Sequence, residues 1–238
     1  MTVPSITVPR ITDPQTIPVE GVDDHLPPVP FDRLLPHALR ARFAAPPVWT
    51  PDIAGDGARF DPQRATTAAS VLVPLVMRDD GLHVLLTMRT AHLRDHAGQI
   101  SFPGGRVEDH DVDAVATALR ETEEEVGLDR RHIEVIGSLP TYSTVTGFVV
   151  TPIVALVEPG FTLNLDAFEV AEAFEVPLLY LMTPAHHRRH LWDAAGVQRR
   201  FLSMPWQGLG DDGRPRSYFI WGATAAMLRN LYGFLAHG

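Results

Sequence analysis

Cysteine is absent from the 238 residues. That excludes disulfides, a thiol nucleophile and any zinc or iron–sulfur centre built on thiolates, and it fits a reducing cytoplasm. Uninterrupted apolar runs are also lacking. The longest, Val71 to Met77 and Phe148 to Val157, are broken by Pro74 and Pro152 and are too short to cross a bilayer, so no membrane partner is expected. Residues 1–30 carry a single basic residue, Arg10, among seven prolines, which is not the charged-then-apolar pattern of a secretory signal. A cytoplasmic location is the expectation. Positive charge is scarce as well, with 20 Lys and Arg against 29 Asp and Glu, for a net charge of −9. No basic, aromatic stripe relieves that balance, so nucleic acid is not an expected partner. A polyanionic substrate would need a local basic patch or a metal.

What is present is an ordinary globular mixture, 45% hydrophobic and 21% charged, long enough for one full-sized domain. Twelve of the 21 prolines fall within the first 62 residues. Residues 1–62 therefore read as a proline-rich arm, extended over 1–30, with a short helix over Phe31–Phe43 that Pro36 kinks or confines to its first turn. Residues 63–238 read as the folded domain. Strands are predicted over Ala69–Met77 and Leu82–Met88 around an Asp79-Asp80-Gly81 turn, and again over Ile133–Leu139 and Phe148–Val157. Helices are predicted over Asp111–Val126, closed by Gly127, over Val176–His190 with Pro177 near its start, and over Trp221–Ala236.

The helix at 111–126 carries the chemistry. Val112, Val115, Leu119, Thr122 and Val126 recur at spacings of three and four and make a core-facing stripe. Glu121, Glu124 and Glu125 stand at i, i+3 and i+4 and gather on a second face, where like charges destabilise a helix unless something binds them. A run of Glu by itself reads as a solvated surface. Here it follows Gly104-Gly105, is preceded by Arg120 and ends at a helix-stopping glycine. Oxygen-only clusters of this kind suit Mg²⁺ or Mn²⁺. Arg120 can brace Glu121 and Glu124, while Glu123 points to another face and is the merely solvated member.

This arrangement resembles the Nudix box, G-x5-E-x7-R-E-U-x-E-E-x-G-U with U apolar. The second half matches, with Thr122 at the apolar position. The first half has one extra residue before Arg120 and places Asp111 where the first Glu would stand. Upstream, Leu85-Leu86-Thr87-Met88-Arg89-Thr90 to Phe102-Pro103-Gly104-Gly105 resembles the coenzyme A diphosphatase signature, L-L-T-x-R-[SA]-x3-R-x3-G-x3-F-P-G-G. Only Thr90 departs from it. Ser143, Gly147-Phe148, Thr151-Pro152 and Phe219 to Ala226 are similar to the same family, so the likeness spans about residues 64–236.

The resemblance implies an α+β fold, a Nudix α/β/α sandwich with a mixed β-sheet between helices. It implies hydrolysis of the diphosphate of coenzyme A or an acyl derivative to 4′-phosphopantetheine and adenosine 3′,5′-bisphosphate, with Mg²⁺ or Mn²⁺ as cofactor. Glu121, Glu124, Glu125 and the Gly104 carbonyl are the implied metal ligands. Arg120, Glu121, Glu124 and Glu125 are the implied catalytic set, with base and ligand roles at Glu121 left open. Arg89, Arg94, Gly98 and Gly105 are the implied substrate-binding residues. Arginine forks suit phosphate oxygens, although each could equally hold a box carboxylate. His92 and His96 read as ordinary loop histidines. Glu169 is the first choice for a further metal-binding or catalytic carboxylate, ahead of Glu172 and Glu175, and 186–190 reads as a solvated helix end. Two alternatives stay open: a relative specific for ADP-ribose, a dinucleotide or a nucleotide sugar, and a non-catalytic binding protein of the same fold. A nucleic-acid-processing role is disfavoured by the charge balance, and a homodimer is left open as a partner.

Overall fold

The computed structural model describes residues 11–56, 65–91, 98–194, 197–210 and 213–237. The first described strand is the short β1 (Val19–Val22), after a 3-10 turn at Pro14–Thr16, and the first α-helix is α1 (Pro36–Ala44). A hairpin of β2 (Thr67–Arg78) and β3 (Gly81–Arg89) follows, then the brief strands β4 (Ile100–Ser101) and β5 (Gly104–Arg106). Next come α2 (Ala114–Val126), β6 (Ile133–Ser138), β7 (Tyr142–Ser143) and β8 (Phe148–Val157). After β9 (Val170–Pro177) and the single turn α3 (Leu178–Leu181) run β10 (Arg188–Ala194), β11 (Val197–Leu209) and β12 (Pro215–Trp221). Helix α4 (Gly222–Ala236) closes the chain.

The larger sheet runs β4-β3-β2-β8-β6, with β5 on β2, β7 on β8 and β9 on β3. It is mixed, because β2 and β8 are parallel from Thr67↔Phe148 to Val76↔Val157 while β2 pairs antiparallel with β3 and β5. Side chains alternate across it. Leu72, Ile153 and Ala155 meet Ala118 of α2 on one face. Val73, Leu75, Val154 and Leu156 share the main core with Leu228 and Leu231 of α4 on the other. Helices on both faces of a mixed sheet give the α+β sandwich that the sequence implies. A second, antiparallel sheet, β1-β10-β11-β12, joins it.

Three boundaries differ from expectation. Helix α2 starts at Ala114, not Asp111, because Asp113 is extended and caps it by accepting from the Ala116 amide at 2.8 Å. Val112 therefore lies outside the helix, 89% exposed, and is not part of the apolar stripe. Pro36 opens α1 instead of kinking it, after a separate 3-10 turn at Phe31–Leu34. The helix expected over Val176–His190 shrinks to α3. Val170, Glu172, Phe174 and Val176 are buried alternately along β9, a period of two that the polar Glu172 disguises. His187 and His190 are buried rather than solvated.

The proline-rich segment is docked where it is described. Val29, Leu34 and Leu39 are buried in the main core, and β1 pairs with β10. Asp23 receives Arg229 at 2.8 Å and Arg189 at 3.0 Å, and Asp52 receives Arg229 at 2.9 Å. The His187 Nε2–H donates to the Leu181 carbonyl at 2.7 Å, leaving Nδ1 facing Arg229 at 3.3 Å. Single apolar residues separated by prolines make these contacts, so no periodicity announces them.

Candidate active site

The Phe102-Pro103-Gly104-Gly105 turn places β5 against β2, with Gly105 opposite Ser70. A Cβ at Gly105 would lie 2.4 Å from the Glu121 carboxyl carbon. Only glycine leaves room there for that carboxylate to lie along the strand. One turn further along α2, Glu125 is 5% exposed, and its Oε2 accepts from the Gly104 amide at 3.2 Å. Arg89, at the end of β3, faces Glu125 at 3.7 Å and Glu169 at 3.6 Å. The Thr90 hydroxyl donates to the Phe168 carbonyl at 2.8 Å, and the Thr90 amide donates to the Glu169 carbonyl at 2.9 Å. These bonds tie the Glu169 segment to the β3 end and give the threonine at the departing motif position a structural task.

Arg120 organises the other side. It donates to Glu121 at 2.9 Å and to Glu124 at 3.0 Å, and forks onto Asp111 at 3.0 and 2.8 Å. Asp111 also accepts from the Glu108 amide and the Thr117 hydroxyl. The guanidinium and these donors hold its carboxyl well below the usual carboxylate range. Asp111 is thus fixed as the anchor of Arg120 at the mouth of α2. Glu123 points away, to Arg130 at 2.8 Å.

Burial raises the pKa of Glu125 to about 8, against the pull of the Gly104 amide and Arg89, with Glu169 and Glu121 pushing the same way as burial. Glu121 is also raised, by burial first, against Arg120. Two carboxylates that resist ionisation beside further acid groups constitute a site short of positive charge. Every donor a cation would meet here is an oxygen: Glu121, Glu125, the more exposed Glu124, Glu169 and the Gly104 carbonyl. That chemistry fits a hard divalent ion. Among the described residues no three acidic or imidazole side chains stand closed as a cage, in keeping with Arg120 drawing Glu121 and Glu124 toward itself.

Gly98 (φ +69) donates its amide to the Arg89 carbonyl at 3.1 Å, and a Cβ there would meet open space. Arg94, His92 and His96 lie outside the described residues. Glu172 and Glu175 are engaged elsewhere: Glu172 is buried and receives Arg216 at 2.6 Å and the Tyr218 hydroxyl at 2.8 Å, and Glu175 pairs with Arg78. Arg106, directly after Gly104-Gly105 and given no role by the motif, lies with its guanidinium over the Phe148 ring at 5.2 Å. An open groove of about 460 Å³ lies elsewhere, lined in part by Trp49, Asp52, Arg229 and Tyr232. It holds none of these carboxylates, so chemistry rather than concavity locates the site.

A family model described as the NUDIX domain matches residues 66–192. The chain is similar to the uncharacterized Nudix hydrolase NudL of Escherichia coli K12, 42% identical over 165 residues that cover 68% of this chain and 80% of that protein. Among solved structures it is similar to a Caenorhabditis elegans Ap4A hydrolase in a binary complex, at 20% identity and a TM-score of 0.42, covering 49% of this chain and 85% of that one. It is also similar to the Nudix hydrolase RenU of M. smegmatis, at 20% identity and a TM-score of 0.41, covering 48% and 73%.

Proposed function

We propose, from the premise that this chain belongs to the NUDIX domain family and hydrolyses the diphosphate bond of a nucleoside diphosphate derivative, that its substrate is coenzyme A or an acyl-coenzyme A. The products are 4′-phosphopantetheine and adenosine 3′,5′-bisphosphate. The observation that carries the assignment of the site is the buried Glu125 with Glu121 against Gly105, a carboxylate pair whose ionised form burial disfavours. The substrate class is supported by the second motif, from Leu85 to Gly105, which runs without a break into that site.

Glu121, Glu124, Glu125 and the Gly104 carbonyl would hold Mg²⁺ or Mn²⁺. When bound, the cation neutralises diphosphate charge and makes a water acidic enough to attack phosphorus. The protein's own groups do the rest. Arg120, anchored by Asp111, fixes the directions of Glu121 and Glu124. Glu121, half-buried and with its pKa raised, is suited to take the proton that the attacking water releases, and Glu169 is the reserve carboxylate for the same task. Arg89, whose carbonyl accepts from the Gly98 amide, faces the substrate diphosphate, with Arg94 nearby in sequence and Gly105 beside Glu121.

A product screen with Mg²⁺ and Mn²⁺ across coenzyme A, acyl-coenzymes A, ADP-ribose, NADH and diadenosine polyphosphates tests the reading. Coenzyme A compounds should be split fastest. Faster turnover of ADP-ribose or a dinucleotide would move the specificity elsewhere in the family, and no metal-dependent turnover of any of them would favour a binding protein.

A further inference from the structure

Two described arginines meet the carboxylates, and a third, Arg106, lies next to them in sequence on the other face of the strand. Arg120 is held by four acid groups, Glu108 the most distant, and Arg89 stands between Glu125 and Glu169. Arg106 makes no ion pair with any described residue; its guanidinium lies over the Phe148 ring at 5.2 Å.

Its placement is fixed by the strand. Side chains alternate along β5, and a Cβ at Gly105 would point at Glu121, so Arg106 points to the opposite face. Its register partner Ala69 is two residues from Thr67, the partner of Phe148, so arginine and ring share that face. The Arg106 carbonyl accepts from Arg120 at 3.1 Å, which pins the backbone beneath this side chain to the carboxylate helix. Among the described residues β5 pairs with no strand but β2, and its Gly104 amide and Arg106 carbonyl bond to Glu125 and Arg120 of α2, so the strand runs directly beside the carboxylates. A charge here sits one residue from the reacting centre, on its far side. Over Phe148 the guanidinium has no carboxylate partner among the described residues, and its N–H groups match phosphate oxygens as a fork.

We propose that Arg106, carried on Phe148, binds a phosphate group of the substrate that is remote from the scissile diphosphate. The proposal rests on the function reading above and sharpens it: coenzyme A carries such a group as its 3′-phosphate, and dephospho-coenzyme A does not.

The test compares kcat/KM on those two compounds for the full chain and for Arg106→Gln, Arg106→Lys and Phe148→Leu, each with its melting temperature recorded. The wild type should prefer coenzyme A, and Arg106→Gln should lose about ten- to a hundredfold on coenzyme A, the usual range for a lost charged hydrogen bond, while changing little on dephospho-coenzyme A. Arg106→Lys, which keeps the charge without the fork, and Phe148→Leu, which removes the ring, should fall between. Adenosine 3′,5′-bisphosphate should inhibit the wild type more strongly than AMP, and the difference should vanish in Arg106→Gln. A preference that survives in Arg106→Gln overturns the proposal and transfers the contact to Arg94 or Arg89, as does a wild type indifferent to the 3′-phosphate. A wild type inactive on both compounds but active on ADP-ribose removes the function reading, and the proposal with it.

Discussion

At the scale of single residues, neighbours in sequence have different fates, and the helix decides which. Glu123 and Glu125 are two positions apart on α2, yet one pairs with Arg130 in solvent and the other is buried against the Gly104 amide. Glu125→Gln and Glu121→Gln should each lower kcat by at least ~10²-fold through lost charge at the cation. Glu123→Gln, which gives up only a surface ion pair, should be nearly silent. Steady-state kinetics on one substrate checks all three, and equal losses at Glu123 and Glu125 would refute the division. The same carboxylates should appear in binding without turnover. Saturating Mg²⁺ or Mn²⁺ should raise the melting temperature of the wild type, since a ligand of the folded state stabilises it. In Glu125→Gln that increment should shrink, and an undiminished shift would place the cation elsewhere.

At the scale of elements, α2 is held at both ends by devices with separate consequences. Its C-terminus stops at Gly127 in the left-handed conformation, φ +66, where an added Cβ would come within 2.9 Å of Asn164 backbone atoms. Gly127→Ala should therefore cost more than the ~1–2 kcal/mol of the conformation alone. A chemical denaturation curve measures this, and a variant as stable as wild type would contradict it. Much of this element was legible in the sequence, because glycine at a helix end and carboxylates at i, i+3 and i+4 are local facts. Its start was less so, since Asp111 and Asp113 both suit a cap and only the fold shows that Arg120 claims the first. The hairpin of β2 and β3 and the strand β8 were legible from long β-rich runs. Strands β9 to β12 were not: Glu172 in β9 and His190 and Ser203 in β10 and β11 are buried polar residues, which break the apolar pattern that sequence reading follows. The site was legible where one segment supplies it, from Gly104 to Glu125. Arg106 had no legible role because its meaning depends on Phe148, which reaches it only through β2 and β8.

At the scale of the whole molecule, the described part of the proline-rich segment belongs to the fold rather than trailing from it. Reading composition alone predicts that removing residues 1–30 leaves the melting temperature unchanged. The structure predicts otherwise, because the cut removes Val29 from the core, β1 from β10 and Asp23 from Arg229 and Arg189. The truncated chain should melt several degrees lower, with loss of both packing and a buried ion pair. Differential scanning calorimetry decides it, and an unchanged transition would restore the dispensable arm. The cluster around Arg229 also sets a pH dependence. Burial holds His187 near a pKa of about 4 in the folded chain, against roughly 6.5 when unfolded. The folded state therefore excludes a proton that the unfolded state binds. The stability from this group is complete above pH 6.5 and is lost as pH falls from 6.5 toward 4. His187→Gln should flatten that stretch of the melting-temperature profile, and parallel profiles for the two chains would refute the assignment.

The central claim, that a carboxylate helix and a divalent cation split a coenzyme A diphosphate, meets its most direct test in one mass-spectrometric measurement. Coenzyme A is incubated with the wild-type chain and Mg²⁺, and in parallel with the cation chelated. 4′-Phosphopantetheine and adenosine 3′,5′-bisphosphate should appear in equal amounts with the cation and neither without it; coenzyme A left intact in both, or split equally in both, would refute the proposed activity.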